Sequence, residues 1–149
     1  MGIVRRNRRA PMNRSLRVTP YAFAVLAGMA ATVCAELPPY VYQELQEKSP
    51  EALNIRVESV KLDKHEEPNF TRVSISAQAK VESVTRSASG LKPGDTIRIN
   101  YSQVSYKRPV AGPSEPDILE KGERYPAFLS GTDGIYSPAA RGYSFRIAR

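Results

Sequence analysis

One histidine and one cysteine narrow the chemistry that this chain of 149 residues can perform. His65 lies in the run DKHEEPN beside Asp63, Glu66 and Glu67. One imidazole and three carboxylates could hold a cation, but the run lacks the glycine-centred spacing of a calcium loop and reads as the solvated tip of a hairpin. A serine nucleophile needs a base within hydrogen-bond reach, and no Gly-x-Ser-x-Gly motif marks such a pair. In GLKPGD, residues 90–95, the lysine precedes the second glycine and no GKS or GKT comes after it, so the segment is a turn and not a phosphate cradle. The remaining carboxylates are scattered singly, which leaves no paired acid and base. No residue is nominated as catalytic and no metal or cofactor is expected. A small extracytoplasmic hydrolase stays open only as a reading without a visible site.

Binding chemistry is better represented. Tyr101, Tyr106, Lys107 and Arg108, with Tyr136, Arg141, Tyr143 and Arg146 near the end, interleave rings with cations. Such surfaces stack flat groups on aromatic faces and attract anions. The same pattern would arise if Tyr101 and Tyr143 were core or rim residues and the arginines a solubilising outer face.

The compartment decides which partners are available. Arg5, Arg6, Arg8, Arg9, Arg14 and Arg17 fall in the first 35 residues, which contain no acidic residue and run into the apolar stretch YAFAVLAGMAATVCA. A basic region, an apolar run and small residues at Val33-Cys34-Ala35 have the layout of a secretory signal peptide, with cleavage between Ala35 and Glu36. The run is short of the ~20 apolar residues that a membrane-spanning helix needs.

Six of the 22 basic residues belong to this leader, so the rest of the chain is nearly balanced, with 16 Lys and Arg against 15 Asp and Glu. The formal charge of +7 is therefore mainly the leader's, and nucleic acid is an unexpected partner for the exported chain. A glycan, an envelope polymer or another exported protein is expected instead, and no transmembrane helix in the mature chain. Cleavage before Cys34 would give a lipoprotein, and a retained basic tail would restore nucleic acid as a partner. Cutting after Ala35 removes the only thiol, so a disulfide cannot form and stability must come from a core.

The elements that must carry these residues are mostly strands. PPYVYQELQEK opens with prolines suited to a helix start and spaces Val41, Tyr42 and Leu45 on one face. Ser49-Pro50-Glu51 offers another short turn. Leu53, Ile55 and Val57 then alternate, with a slip to Val60 and Leu62 that predicts a bulge near Glu58-Ser59.

VSISAQAKV puts Val73, Ile75, Ala77, Ala79 and Val81 on one face, as a strand buried on one side does. TIRINYSQVSY alternates likewise after the SASGLKPGD turn. The proline-rich segment from Lys107 to Gly122 excludes a central strand and leaves a loop with one helical turn at PDILEK, where Ile118 and Leu119 would plug the barrel mouth. RYPAFLS and GYSFRIA supply a fourth and a fifth strand. Five strands with an irregular crossover fit a small antiparallel barrel of the OB type, and the spacing leaves no room for a seven-stranded sandwich.

Three segments carry a resemblance: AKVESV, GLKPGDTIRINY and GERYPAFL. Within them Gly94-Asp95 leads into an alternating strand, and Gly122 stands before Tyr125 and Phe128-Leu129. Over about Asn54 to Phe128 the chain resembles the netrin-like OB modules of secreted proteins, which include the tissue inhibitors of metalloproteinases. The resemblance implies an OB barrel and, by analogy, inhibition through an N-terminal cysteine on a protease zinc, a part only Cys34 could play. The family's disulfides are missing here.

The expectation is therefore a mainly β protein organised as a signal peptide over 1–35, a helical segment over 36–52 and a five-stranded OB-like barrel over 53–149. It is expected to be an exported, non-catalytic binding module.

Overall fold

The structure, a computed structural model, describes residues 36–108 and 112–148. The leader, Cys34 and Ala35 lie outside the described residues.

Helix α1, Pro39–Lys48, begins with a proline at its first position, where the missing N–H would have had no helical partner. Its buried face consists of Tyr42 and Gln46, one turn apart, while Val41 and Leu45 are half-buried. Ser49 closes it by donating its hydroxyl to the Leu45 carbonyl at 2.7 Å. The second turn expected at Ser49-Pro50-Glu51 does not form, because Glu51 already pairs with Ser87 and Leu129.

Five strands make up the rest of the framework: β1 Glu51–Glu66, β2 Phe70–Ser87, β3 Thr96–Tyr106, β4 Arg124–Thr132 and β5 Ile135–Pro138. They close into a barrel in the order β1-β2-β3-β5-β4, an OB-like arrangement. The expected all-antiparallel barrel is corrected in one respect. A closed ring with an odd number of strands cannot alternate direction at every neighbour, so one pair must run parallel. That pair is β3 with β5, joined at Arg98–Ile135 and Ile99–Tyr136.

The expected slip in β1 appears as a register shift between Val57 and Ser59. It separates two uses of the strand. Glu51 to Arg56 pair with both β2 and β4, whereas Ser59 to Glu66 pair with β2 alone, so β1, β2 and β3 run on together past the barrel wall.

The core obeys the alternation. Leu53, Ile55 and Val57 on β1, Ala77, Ala79 and Val81 on β2, and Ile97 and Ile99 on β3 meet Ala127, Leu129 and Tyr136 from the closing strands. Glu51 is also buried; one carboxylate oxygen accepts the Ser89 N–H at 2.9 Å and the other has no partner among the described residues.

Two of the expected elements are replaced. GYSFRIA is not a strand: Arg141–Tyr143 form a single 3-10 turn, entered through Arg141 at φ 47°. The Ser144 hydroxyl fixes this bend by accepting from the Ala140 N–H at 2.9 Å and donating to the Arg141 carbonyl at 2.7 Å. The fifth strand is IYSP, reached through Asp133 (φ 55°) and Gly134 (φ 79°), the paired left-handed residues of a tight hairpin. At Gly131 a side chain would run into the β5 backbone at Ile135 and Tyr136.

PDILEK makes no helical turn. Leu119 is 1% exposed inside the core cluster while Ile118 is 38% exposed, so the plug consists of one residue, not two. Phe145, from the C-terminal segment, joins Leu119 in the core cluster, with its ring 5.7 Å from Tyr101 and 6.2 Å from Tyr125.

Candidate functional site

The eight residues singled out for binding separate into three groups in space. Tyr136 is 2% exposed, a barrel-wall residue whose hydroxyl shares a 2.8 Å hydrogen bond with that of Ser89; it is not a surface contact. Tyr101 is half-buried on β3 and fastens the loop across the barrel mouth. Its hydroxyl donates to the Asp117 carbonyl at 2.8 Å and accepts from the Leu119 N–H at 3.1 Å. Burial pushes its pKa up to about 12.

Tyr143 and Arg146 form the second group and serve α1. The Tyr143 ring lies 4.3 Å from that of Tyr42, and the Arg146 guanidinium carbon sits 4.4 Å above it. Gln46 completes this docking. Its amide nitrogen donates to the carbonyls of Tyr143 (2.8 Å) and Arg146 (2.6 Å), and its oxygen accepts from the Ala148 N–H at 3.2 Å. Glu36 clasps the same region, accepting hydrogen bonds from the hydroxyls of Tyr42 and Ser114, and those bonds hold its carboxyl below the usual range.

Tyr106, Lys107, Arg108 and Arg141 remain, and the structure brings them to neighbouring sides of one surface. Tyr106 is the last residue of β3 and is 52% exposed. It lines a shallow cavity of about 580 Å³ with Pro68, Asn69, Lys107 and Arg108. A second cavity, of about 370 Å³, shares Tyr106 and adds Val104, the loop residues 112–116 and Arg141. The Lys107 N–H donates to the Asn69 carbonyl at 3.0 Å, which anchors the chain where β3 leaves the sheet.

Two residues that sequence reasoning missed complete this surface. Phe70 pairs with Tyr106 across the sheet, their ring centroids 6.1 Å apart. Arg72 places its guanidinium carbon 5.8 Å from the centre of the Phe70 ring. His65, exposed and opposite Arg72, lies 4.0 Å from a Glu67 carboxylate oxygen. The missing signal was register: Phe70 stands far from Tyr106 in the chain and becomes its neighbour only when β2 and β3 are aligned.

The arrangement can do two things chemically. Tyr106 and Phe70 offer aromatic surface for stacking, and Arg72, Lys107, Arg108 and Arg141 offer cations to an acidic group. Among the described residues no cluster of three or more His, Cys, Asp or Glu side chains is placed to hold a metal, and no helix is long and apolar enough to cross a membrane. No family model matches the chain, and no curated protein or solved structure is significantly similar to it.

Proposed function

We propose that this protein is an exported, non-catalytic binding module that holds a glycan or envelope polymer on the surface around Tyr106. The observation that supports it best is the Tyr106–Phe70 pair flanked by Arg72, Lys107 and Arg108 at the projecting end of a rigid sheet. Aromatic rings left half in water beside exposed cations contribute little to the core. They suit a ligand with flat apolar faces and acidic substituents. By fold-level analogy, OB barrels take oligosaccharides and oligonucleotides on the β2–β3 face, where this surface lies.

The test has two parts. Intact mass and the N-terminal peptide of the protein from its own host should show a chain beginning at Glu36 in the exported fraction; an intact Met1 in the cytoplasm defeats the export reading. Affinity electrophoresis in gels cast with acidic and neutral polysaccharides should then show retardation that Tyr106→Ala weakens by about 1–3 kcal/mol, the size of one lost stacking contact. Equal mobility of the variant and the original protein would place binding elsewhere.

A further inference from the structure

A row of cations crosses the outer barrel wall at the far end of the same sheet. The register sets Arg56 opposite Lys80 on one side and Arg124 on the other, so three positive side chains lie abreast on β2, β1 and β4. Neighbouring strands are about 4.8 Å apart, and like charges directly opposite one another are destabilising. One carboxylate answers the two arginines. Glu82 Oε1 accepts from Arg56 Nε and from Arg124 Nε, each at 3.0 Å.

That arrangement orders the two guanidinium groups without using them up. Each has five N–H donors and spends one on Glu82; no hydrogen bond from their Nη atoms occurs among the described residues. A shallow cavity of about 320 Å³, lined by Asn54, Glu82, Ser83, Arg124, Tyr125 and Pro126, opens beside them.

β2 connects this row to the Tyr106 surface. Arg72, Ser74, Ser76, Gln78 and Lys80 alternate with the buried Ile75, Ala77 and Ala79, so they occupy the outer face. On β3, Ser102, Asn100 and the exposed Arg98 stand opposite Ser74, Ser76 and Gln78. The middle of this face holds a shallow cavity of about 300 Å³ lined by Lys61, Asp63, Ser74, Ser76 and Asn100, together with Ile75 and Tyr101. From Phe70 to Lys80 the strand covers about 33 Å at ~3.3 Å per residue.

We infer that this face is a track for one extended acidic polysaccharide, seated on Phe70, Tyr106 and Arg72 at one end and on Lys80, Arg56 and Arg124 at the other. The inference rests on the polymer-binding reading above and goes further by fixing the ligand's chemistry, direction and length. Hydroxyl and amide side chains along the middle match the donors and acceptors of sugar hydroxyls; Lys61 and Arg98 add cations there beside the Asp63 carboxylate, and the cations at each end match acidic substituents. A track for single-stranded nucleic acid would need aromatic platforms for successive bases. Between Arg72 and Lys80 the outer positions of β2 carry none.

Calorimetric titration with heparin-derived oligosaccharides of increasing length tests this, using the original protein, Tyr106→Ala and the double variant Lys80→Gln/Arg124→Gln, which keeps the Arg56–Glu82 pair. Two linked subsites raise affinity only when one ligand spans both, so affinity should climb at least about tenfold once the fragment reaches roughly 30 Å. The double variant should bind short fragments like the original protein and lose that climb, with its melting temperature confirming the fold. Length-independent binding that Tyr106→Ala abolishes overturns the track and leaves the function reading standing. Absence of binding at every length overturns both. An unchanged climb in the double variant overturns the far subsite. A climb that is larger with polyphosphate or with a single-stranded oligonucleotide overturns the polysaccharide assignment.

Discussion

Tyr101 shows how one side chain can look like a ligand contact and serve the fold. Its hydroxyl is the clamp between β3 and the loop at Asp117 to Leu119, and its ring packs against Phe145. Its pKa rises because burial disfavours the phenolate; an unfolded tyrosine ionises near 10, and this one near 12. Between those values the unfolded chain releases its proton first, so the stabilisation is complete below about pH 10 and is lost as pH rises toward 12. Denaturant unfolding across this range should show stability falling more steeply for the original protein than for Tyr101→Phe. At neutral pH that variant should cost about 1–3 kcal/mol, since it leaves the Asp117 carbonyl and the Leu119 N–H short of a partner.

Alternation in TIRINYSQVSY puts Tyr101 on the core side with Ile97 and Ile99 and Tyr106, five residues on, on the opposite face, but it cannot say that a returning loop will cover Tyr101. Tyr101 was claimed by the loop that drops Leu119 into the core, and Tyr106, farther along the strand, was not.

At the scale of elements, α1 is fastened to the barrel by the buried Tyr42 ring on Tyr143 and by the polar contacts of Gln46. Three hydrogen bonds to the backbone of Tyr143, Arg146 and Ala148 converge on its amide, and its own carbonyl accepts from Arg86 Nη2 at 2.7 Å. Gln46→Leu preserves helix propensity and volume but leaves those backbone groups unpaired. It should destabilise by about 1–3 kcal/mol in chemical denaturation, with hydrogen exchange rising first in α1 and residues 143–148.

The elements were legible where a single period governs. β2 alternates from Val73 to Val81, β3 from Ile97 to Tyr101 and β1 from Leu53 to Val57, and the bulge near Glu58-Ser59 was visible as a break in that pattern. GYSFRIA failed for a physical reason: Tyr143, Phe145 and Ile147 alternate as in a strand, but the Ser144 side chain offers the backbone a competing local bend. β5 was hidden because its four residues contain one buried apolar position, Tyr136. Of the candidate site, Tyr106, Lys107, Arg108 and Arg141 were legible as an interleaving of rings and cations. Phe70, Arg72 and the row through Arg56 were not, since each depends on a cross-strand register that no local pattern encodes.

For the whole molecule, the odd strand count has a kinetic consequence. β1 and β2 pair along nearly their full lengths around the short turn at Glu67, Pro68 and Asn69, so their contacts close at little entropic cost. The parallel seam is the opposite case. It has two rungs and joins strands far apart in the chain, with β5 carried in by its hairpin with β4. Non-local pairings of this kind form late, so the hairpin should nucleate folding and the seam should close last. In stopped-flow refolding, Val81→Ala should give a φ-value of about 0.5–0.8 and Tyr136→Phe one of about 0–0.3. A high value at Tyr136 would show the ring closing early. By the same reasoning the seam is where the native barrel first opens: a two-rung latch whose release would leave the β1–β2–β3 sheet intact and still carrying Phe70, Arg72 and Tyr106.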